Sequence, residues 1–137
     1  MSETESPVAA VETVLVVDDE VIARMVISEY LRHCGYRVIE AANSDEALAV
    51  LQYAEIPVEV VLCGMSQAGA ASGFALAQWV RQYKSEIDII LAGSHARTAV
   101  AAGELCESGP NLVKPYEPHV VVDRIKRLLA FRPTPKR

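Results

Sequence analysis

Short apolar runs alternate with amphipathic segments along most of the chain. The apolar runs are rich in Val, Ile and Leu, which is typical of buried strands. They predict five strands, at residues 14–17, 37–40, 58–63, 87–92 and 112–113. The segments after them carry apolar residues three or four positions apart, which predicts five helices. These helices should cover about 20–34, a stretch opening at Asn43 or Ser44, and then about 72–83, 97–107 and 118–130.

The order of these elements predicts the fold class. Strands that are apolar along their whole length are buried on both faces, as in a parallel sheet covered by helices. Five strand–helix units therefore predict an α/β fold, a doubly wound (βα)5 parallel five-stranded sheet. One domain should span residues 12–131, with tails at 1–11 and 132–137. Gly35 lies where the glycine that ends a helix belongs.

The charge balance narrows the range of partners. Thirteen Lys and Arg against eighteen Asp and Glu give a net charge of −5 and a pI of about 5.2. Such an acidic chain argues against nucleic acid as the main partner. Residues 60–80 carry no charge, but polar residues and glycines interrupt them, so we predict strand, loop and helix there and no membrane segment.

The cysteines bear on the cellular compartment. Cys34, Cys63 and Cys106 are odd in number, widely spaced and free of any C-x-x-C motif. This pattern predicts reduced thiols in a cytoplasmic protein, with neither a disulfide framework nor a zinc site.

Candidate chemistry lies just past the strand ends, because ligands of open parallel sheets bind at the carboxyl ends of the strands. Asp18 and Asp19 follow the first strand and Lys114 follows the fifth. Carboxylate oxygens suit Mg²⁺, and an ammonium suits a phosphate. Taken separately, the acids could equally cap the first helix and the lysine could be an ordinary surface residue.

Four motifs give this arrangement a family resemblance. They are Val14–Glu20, Gly35–Val38, Ala41–Leu48 and Lys114–Tyr116. In this order they resemble the CheY-like receiver domain of bacterial response regulators, and the resemblance runs from about Thr13 to Ala130. It implies a flavodoxin-like fold and a phosphoryl transfer from a histidine kinase to an aspartate that ends the third strand.

The resemblance also implies roles for single residues. Asp18 and Asp19 match the acid pair that holds Mg²⁺, and Lys114 matches the lysine that contacts the phosphoryl group. The Lys114–Pro115 bond would be the family's usual cis peptide, and Tyr116 matches the aromatic residue that commonly follows.

The chain departs from the family at the phosphoacceptor. Gly64 stands at that position, and a register shifted by one would place Cys63 or Met65 there. No Asp or Glu occurs between Glu59 and Glu86, so no alignment restores a carboxylate. Glycine has no nucleophilic side chain, so an aspartyl phosphate cannot form at position 64.

Other pocket positions differ as well. The switch hydroxyl falls on Gly93, with Ser94 one residue late, and the aromatic residue of the fifth strand falls on Asn111. With one carboxylate fewer, Mg²⁺ should bind weakly. We expect Lys114 to pair with Asp18 or Asp19 instead of a phosphoryl group.

The sequence therefore predicts a single-domain, non-enzymatic receiver in two-component phosphorelay signalling that acts by protein–protein contact. Its partner would be a histidine kinase, a phosphotransferase or another regulator, with no nucleic acid and no membrane. The family's usual contact face, which could also form a homodimer through the fourth and fifth helices, would carry Arg97, Tyr116, Arg124 and Arg127.

Two alternatives stay open. Phosphorylation could occur at a nearby serine, Ser66 or Ser94, or the chain could be a small α/β enzyme or redox sensor that uses Cys63. The histidines, His33, His95 and His119, are scattered, and the sequence places none of them beside a second ligand.

Overall fold

The computed structural model describes residues 12–53, 55–64, 70–109 and 114–131. The strands are β1 (Thr13–Val17), β2 (Arg37–Ala41), β3 (Val60–Cys63) and β4 (Asp88–Leu91). The helices are α1 (Val21–His33), α2 (Ser44–Gln52), α3 (Ala70–Tyr83), α4 (His95–Glu107) and α5 (Pro118–Ala130).

The four described strands form one parallel sheet in the order β2-β1-β3-β4. Val14 of β1 lies opposite Val38 of β2 on one side and Val60 of β3 on the other. This arrangement confirms the predicted α/β fold with a doubly wound parallel sheet. The fifth strand, predicted at residues 112–113, lies outside the described residues.

Helices cover both faces of the sheet, as the apolar strands predicted. Val14, Val16 and Leu62 point to one face and pack with α1, α4 and α5. Leu15 and Val61 point to the other face and pack with α2 and α3. Every residue of β1 and β3 is buried. The alternation of side chains along each strand therefore supplies two separate cores from one sheet.

Local sequence signals set the helix ends. The Asn43 side chain accepts a hydrogen bond from the Glu46 N–H at 2.8 Å, and Glu46 Oε1 accepts one from the Ala42 N–H at 2.7 Å. This reciprocal capping fixes the start of α2. At the end of α1, Gly35 has a φ of 100°, so its predicted role in ending that helix is confirmed.

Two helices begin earlier than predicted. α3 begins at Ala70 instead of Ser72, and α4 begins at His95 instead of Arg97. At α4 the Ser94 hydroxyl accepts a hydrogen bond from the Arg97 N–H at 3.2 Å. Ser94 is therefore an N-cap, which moves the helix start toward the end of β4.

The cysteine prediction is wrong for two of the three residues. Cys34, at the C-cap of α1, and Cys106, in the last turn of α4, form a disulfide with their Cα atoms 5.2 Å apart. They meet because α1 and α4 pack on the same face of the sheet. Cys63 does not take part in this bond and is buried on the opposite face.

The longest of the described helices is α3, with 14 residues. A membrane span needs about 20 apolar residues, and no helix in the described ranges meets the requirements for crossing a membrane.

Candidate functional site

A cleft of about 270 Å³ opens at the carboxyl ends of β1, β3 and β4. Its lining residues all follow one of these strands: Asp18, Asp19, Glu20, Gly64, Gly93, Ser94 and His95. The structure thus brings together the acid pair and three residues that the sequence predicted at the acceptor and switch positions, Gly64, Gly93 and Ser94. Lys114 is not among the lining residues.

Asp18 is the most buried carboxyl group of the cleft, with 1% of its surface exposed. Its Oδ1 accepts a hydrogen bond from the Glu20 N–H at 2.9 Å. Its Oδ2 has no hydrogen-bond partner among the described residues. Burial raises the pKa of Asp18 to about 6, although the Glu20 N–H and nearby His95 act in the opposite direction.

The cleft fits a hard divalent cation only in part. The unpartnered Oδ2 of Asp18 and the carboxylates of Asp19 and Glu20 border one space, and such oxygens suit Mg²⁺. However, the described residues contain no group of three His, Cys, Asp or Glu side chains arranged to hold a metal ion. Any Mg²⁺ bound here would keep most of its ligands as water.

Gly64 forms the floor of the cleft beneath α4. Its N–H donates to the Val17 carbonyl at 2.8 Å and so extends the pairing of β3 with β1. A Cβ atom at position 64 would lie 2.6 Å from Thr98 Oγ1 and 3.1 Å from both Thr98 Cγ2 and Asp18 Oδ2. Real Cβ atoms essentially never come within 3.0 Å of another atom, so any side chain at position 64 would require the Thr98 hydroxyl to move.

Thr98 is held in that place by its own helix. Its Oγ1 donates a hydrogen bond to the Ser94 carbonyl at 2.9 Å, and 1% of the residue is exposed. Both branches of the side chain approach Gly64.

The sequence missed two residues of this site. His95 lines the cleft with the acids, so the expectation that no histidine shares a site with another ligand is wrong for His95. Its position directly after Gly93 and Ser94, at the end of a predicted strand, was the available signal. Thr98 carries no comparable signal, because its contact with Gly64 depends on how α4 packs.

The expected pairing of Lys114 with the acid pair is wrong. Lys114 Nζ lies 2.9 Å from Glu107 Oε2 and 3.4 Å from Glu117 Oε1. The hydrogen bond to Glu107 raises the pKa of Lys114. The end of α4 and the start of α5 thus supply the lysine's partners in place of the residues after β1.

The expected cis peptide is also absent, because the bond between Lys114 and Pro115 is trans, as is every peptide bond of the described residues. The two isomers of an X–Pro bond differ by only about 1 kcal/mol, so the surrounding structure decides between them.

Two residues of the predicted contact face have partners on α1. The Tyr116 ring lies 5.1 Å from the Tyr30 ring, and the Tyr116 carbonyl accepts a hydrogen bond from the Tyr30 hydroxyl at 2.9 Å. Arg124 lies 3.7 Å from Glu29. Arg97 and Arg127 are exposed on α4 and α5.

Phosphorylation at a serine and chemistry at Cys63, the two alternatives left open by the sequence, depend on residues that differ in accessibility. Cys63 is 2% exposed and packs in the core between the sheet, α2 and α3, so its thiol is not offered to a substrate. Ser94 is exposed, and its hydroxyl caps α4. Ser66, Met65 and Asn111 lie outside the described residues.

The sequence of the chain is similar to a known protein family and to curated proteins. The family described as the response regulator receiver domain matches residues 14–126. The chain is 34% identical over 125 residues to the transcriptional regulatory protein AruR of Pseudomonas aeruginosa, covering 88% of this chain and 50% of AruR. It is 31% identical over 116 residues to ResD of Bacillus subtilis, covering 85% of this chain and 47% of ResD. The chain thus spans about half the length of these curated relatives.

Solved structures show the same similarity. The chemotaxis response regulator CheY4 of Vibrio cholerae is 26% identical with a TM-score of 0.53, over 87% of this chain and 99% of CheY4. TrrA of Thermotoga maritima, solved in complex with Mg²⁺ and BeF, is 28% identical with a TM-score of 0.53, over 85% of this chain and 98% of TrrA. With the parallel sheet and the cleft at its carboxyl edge, these matches show that the chain belongs to the response regulator receiver domain family.

Proposed function

We propose that this receiver domain takes part in two-component signalling through protein–protein contact, without phosphorylation at the usual acceptor position. The observation that carries the proposal is the pair Gly64 and Thr98. Gly64 has no nucleophilic atom, and the Thr98 side chain fills the space beside it. A phosphoryl group therefore has no acceptor at the floor of the cleft, and Thr98 Oγ1 stands where the first atom of an acceptor side chain would lie.

The proposal gives the acid pair a reduced role. Asp18 and Asp19 would hold Mg²⁺ weakly, since the acceptor position contributes no carboxylate. Lys114, whose ammonium lies between Glu107 and Glu117, would join the end of α4 to the start of α5 in place of contacting a phosphoryl group. Gly93 and Ser94 would shape the cleft without acting as a switch.

We assign partner binding to the surface of α4 and α5. The α4 and α5 helices approach closely, because Gly103 leaves no side chain between α4 and Pro118. Arg97 and Arg127 are exposed there and Arg124 is half-exposed, so the surface favours an acidic partner. In a cytoplasmic two-component system this partner would be a histidine kinase, a phosphotransferase or another regulator, or a second copy of the chain. The proposed domain spans residues 12–131 and includes no enzymatic activity.

Intact-mass spectrometry after incubation with acetyl phosphate and Mg²⁺ tests the lost phosphorylation. We expect no phosphoryl adduct on the wild-type chain, while a conventional receiver domain treated in the same way gains one. A stoichiometric, Mg²⁺-dependent adduct on the wild type would overturn the proposal. Peptide mapping would then show whether Ser66 or Ser94 carries the group.

Charge reversal tests the proposed surface. Arg97→Glu and Arg127→Glu should each weaken binding to the cognate kinase or phosphotransferase, whereas Arg81→Glu, at an exposed position of α3 on the opposite face of the sheet, should not. Amide shift perturbations on adding the partner should map to α4 and α5. Perturbations confined to α2 and α3 would contradict the assignment.

A further inference from the structure

The two helices that begin at the cleft are joined covalently at their opposite ends. α1 begins directly after Asp18, Asp19 and Glu20, and α4 begins directly after Ser94. Both helices have 13 residues and pack on the same face of the sheet. The Cys34–Cys106 disulfide links the C-cap of α1 to the last turn of α4.

The surroundings of the disulfide hold the same end of α4. The Tyr36 hydroxyl donates a hydrogen bond to the Leu105 carbonyl. The Tyr36 ring also lies against Gly109, where a Cβ atom would come within 2.8 Å of it. The disulfide and Tyr36 therefore hold the C-terminal end of α4 against the segment that connects α1 to β2.

The sulfur atoms of Cys34 and Cys106 are buried, so a small thiol can reach them only when α4 moves. Cys34 and Cys106 are both 0% exposed. Thiol–disulfide exchange needs direct attack on a sulfur atom, so the last turn of α4 must open before a small thiol can react. The position of α4 in turn decides how Thr98 covers Gly64 at the floor of the cleft.

We propose that Cys34 and Cys106 form a thiol–disulfide switch that exchanges with low-molecular-weight thiols and disulfides of the glutathione type and controls the position of α4. In oxidation, one cysteine thiolate attacks the small disulfide, forms a mixed disulfide and releases one small thiol. The second cysteine thiolate then attacks the mixed disulfide, closes the Cys34–Cys106 bond and releases the other small thiol. Two electrons pass to the small disulfide, and the two cysteine protons end on the released thiols.

The proposed switch supplies an input that does not require phosphorylation. The cytoplasm is the compartment of the proposed two-component system, and a disulfide there is characteristically transient or redox-sensing. Reduction would free the end of α4 from α1, and α4 carries both Thr98 at the cleft and Arg97 on its exposed side. The inference is independent of the proposed loss of phosphorylation, because it rests on a different pair of residues.

Nuclear magnetic resonance of the same wild-type sample under oxidised and reduced glutathione tests the switch. Alkylation and intact mass first give the number of reactive thiols in each state. We expect the Cys34–Cys106 bond to open and close reversibly and the amide signals of Gly64, Ser94 and Thr98 to shift between the two states. Amide hydrogen exchange in the last turn of α4 should lose protection on reduction.

Two variants serve as controls. Cys63→Ser should keep the full response, because Cys63 lies on the other face of the sheet. The double variant Cys34→Ser/Cys106→Ser cannot form the bond, so its cleft signals should match those of the reduced wild type under both conditions. If the wild-type cleft signals are identical in both states, or if oxidised glutathione does not close the bond, the switch is refuted. The wild-type comparison stands even if the double variant fails to fold.

Discussion

Position 64 requires a glycine because of the close contact with Thr98, and not because of its backbone conformation. Gly35 is the described glycine with positive φ, so a side chain at position 64 would not strain the backbone. It would instead collide with Thr98 Oγ1. The missing side chain of Gly64 therefore leaves the space that the β-branched side chain of Thr98 fills. We therefore expect that an acid restored at position 64 needs a smaller residue at position 98 before it can act as a phosphoacceptor.

Substitution of alanine at Gly64 isolates this contact. Gly64→Ala should destabilise the protein by about 1–3 kcal/mol through overpacking. Combining it with Thr98→Ala should recover much of the loss, which a double-mutant cycle from urea unfolding would measure. Gly93→Ala is the matched control, because a Cβ atom at position 93 meets nothing within 4 Å. Equal effects at positions 64 and 93 would contradict the steric account.

The same contact predicts how phosphorylation could be gained. Gly64→Asp alone should gain much less phosphoryl adduct from acetyl phosphate and Mg²⁺ than a variant that also shortens Thr98, because the new side chain must displace Thr98 Oγ1. Gly64→Asp/Thr98→Ala should gain a phosphoryl adduct by intact mass, since the acids that would hold Mg²⁺ line the same cleft. An adduct on the single variant at the same level would show that Thr98 is no obstacle.

Asp18 should give the stability of the protein a dependence on pH. Its folded-state pKa of about 6 lies above the ordinary value of 3.8. The folded state therefore binds the proton more tightly, and this stabilisation is complete below pH 3.8 and is lost as the pH rises through 6. The loss amounts to at most about 3 kcal/mol.

Urea unfolding between pH 4 and 8, in buffer with a chelator of divalent cations, measures this effect. Asp18→Asn keeps an oxygen to accept the Glu20 N–H and removes the charge. The difference in unfolding free energy between the wild type and Asp18→Asn should therefore change across this range and favour the variant at high pH. A pH-independent difference would mean that Asp18 titrates normally.

At the scale of elements, local signals in the sequence located most helix ends and strands. Gly35 ends α1 and Asn43 caps α2 through contacts with residues close to them in the chain, so the sequence alone is enough to predict both helix ends. The start of α4 was missed because the hydrophobic pattern begins later than its cap, Ser94. The partners of Lys114 could not be predicted, because they depend on where α4 ends relative to α5.

Where α4 and α5 cross, replacing a helical glycine by alanine should destabilise the protein instead of stabilising it. Replacing a helical glycine by alanine usually stabilises a protein by about 1 kcal/mol. A Cβ atom at Gly103, however, would lie 2.6 Å from Pro118 Cγ, which belongs to a rigid ring. Gly103→Ala should therefore lower the unfolding free energy by about 1–3 kcal/mol.

Pro118→Ala provides the matched background for that measurement. In the double variant Gly103→Ala/Pro118→Ala the collision disappears, so the added alanine should be neutral or stabilising. Urea unfolding of the four proteins gives the coupling between the two positions. A stabilising effect of Gly103→Ala in the wild-type background would show that the helices can separate without loss.

At the scale of the whole molecule, the sequence predicted the sheet and the edge where the cleft lies, but not the cross-link between α1 and α4. Strand runs and strand ends are properties of short segments, and the rules of parallel sheets convert them into a site. The pairing of Cys34 with Cys106 spans 72 residues and depends on two helices sharing one face. No local pattern contains that information.

The cross-link should contribute strongly to stability. Closing a loop of this length removes conformational freedom from the unfolded chain and stabilises the folded state by about 4 kcal/mol. Cys34→Ala/Cys106→Ala should therefore unfold at a lower urea concentration than the oxidised wild type, by roughly this free energy. Cys63→Ala is the control that leaves the cross-link intact, and reductant should lower the stability of that control and of the wild type alike.

The cross-link also closes a covalent ring that contains β2, α2, β3, α3, β4 and nearly all of α4. A protease that cuts once inside the ring, for example at the turn between α3 and β4, breaks the polypeptide but does not part its two pieces. The nicked protein would migrate as one band on a non-reducing gel and as two bands once a thiol is added. Its backbone can thus be severed while the sheet keeps every strand.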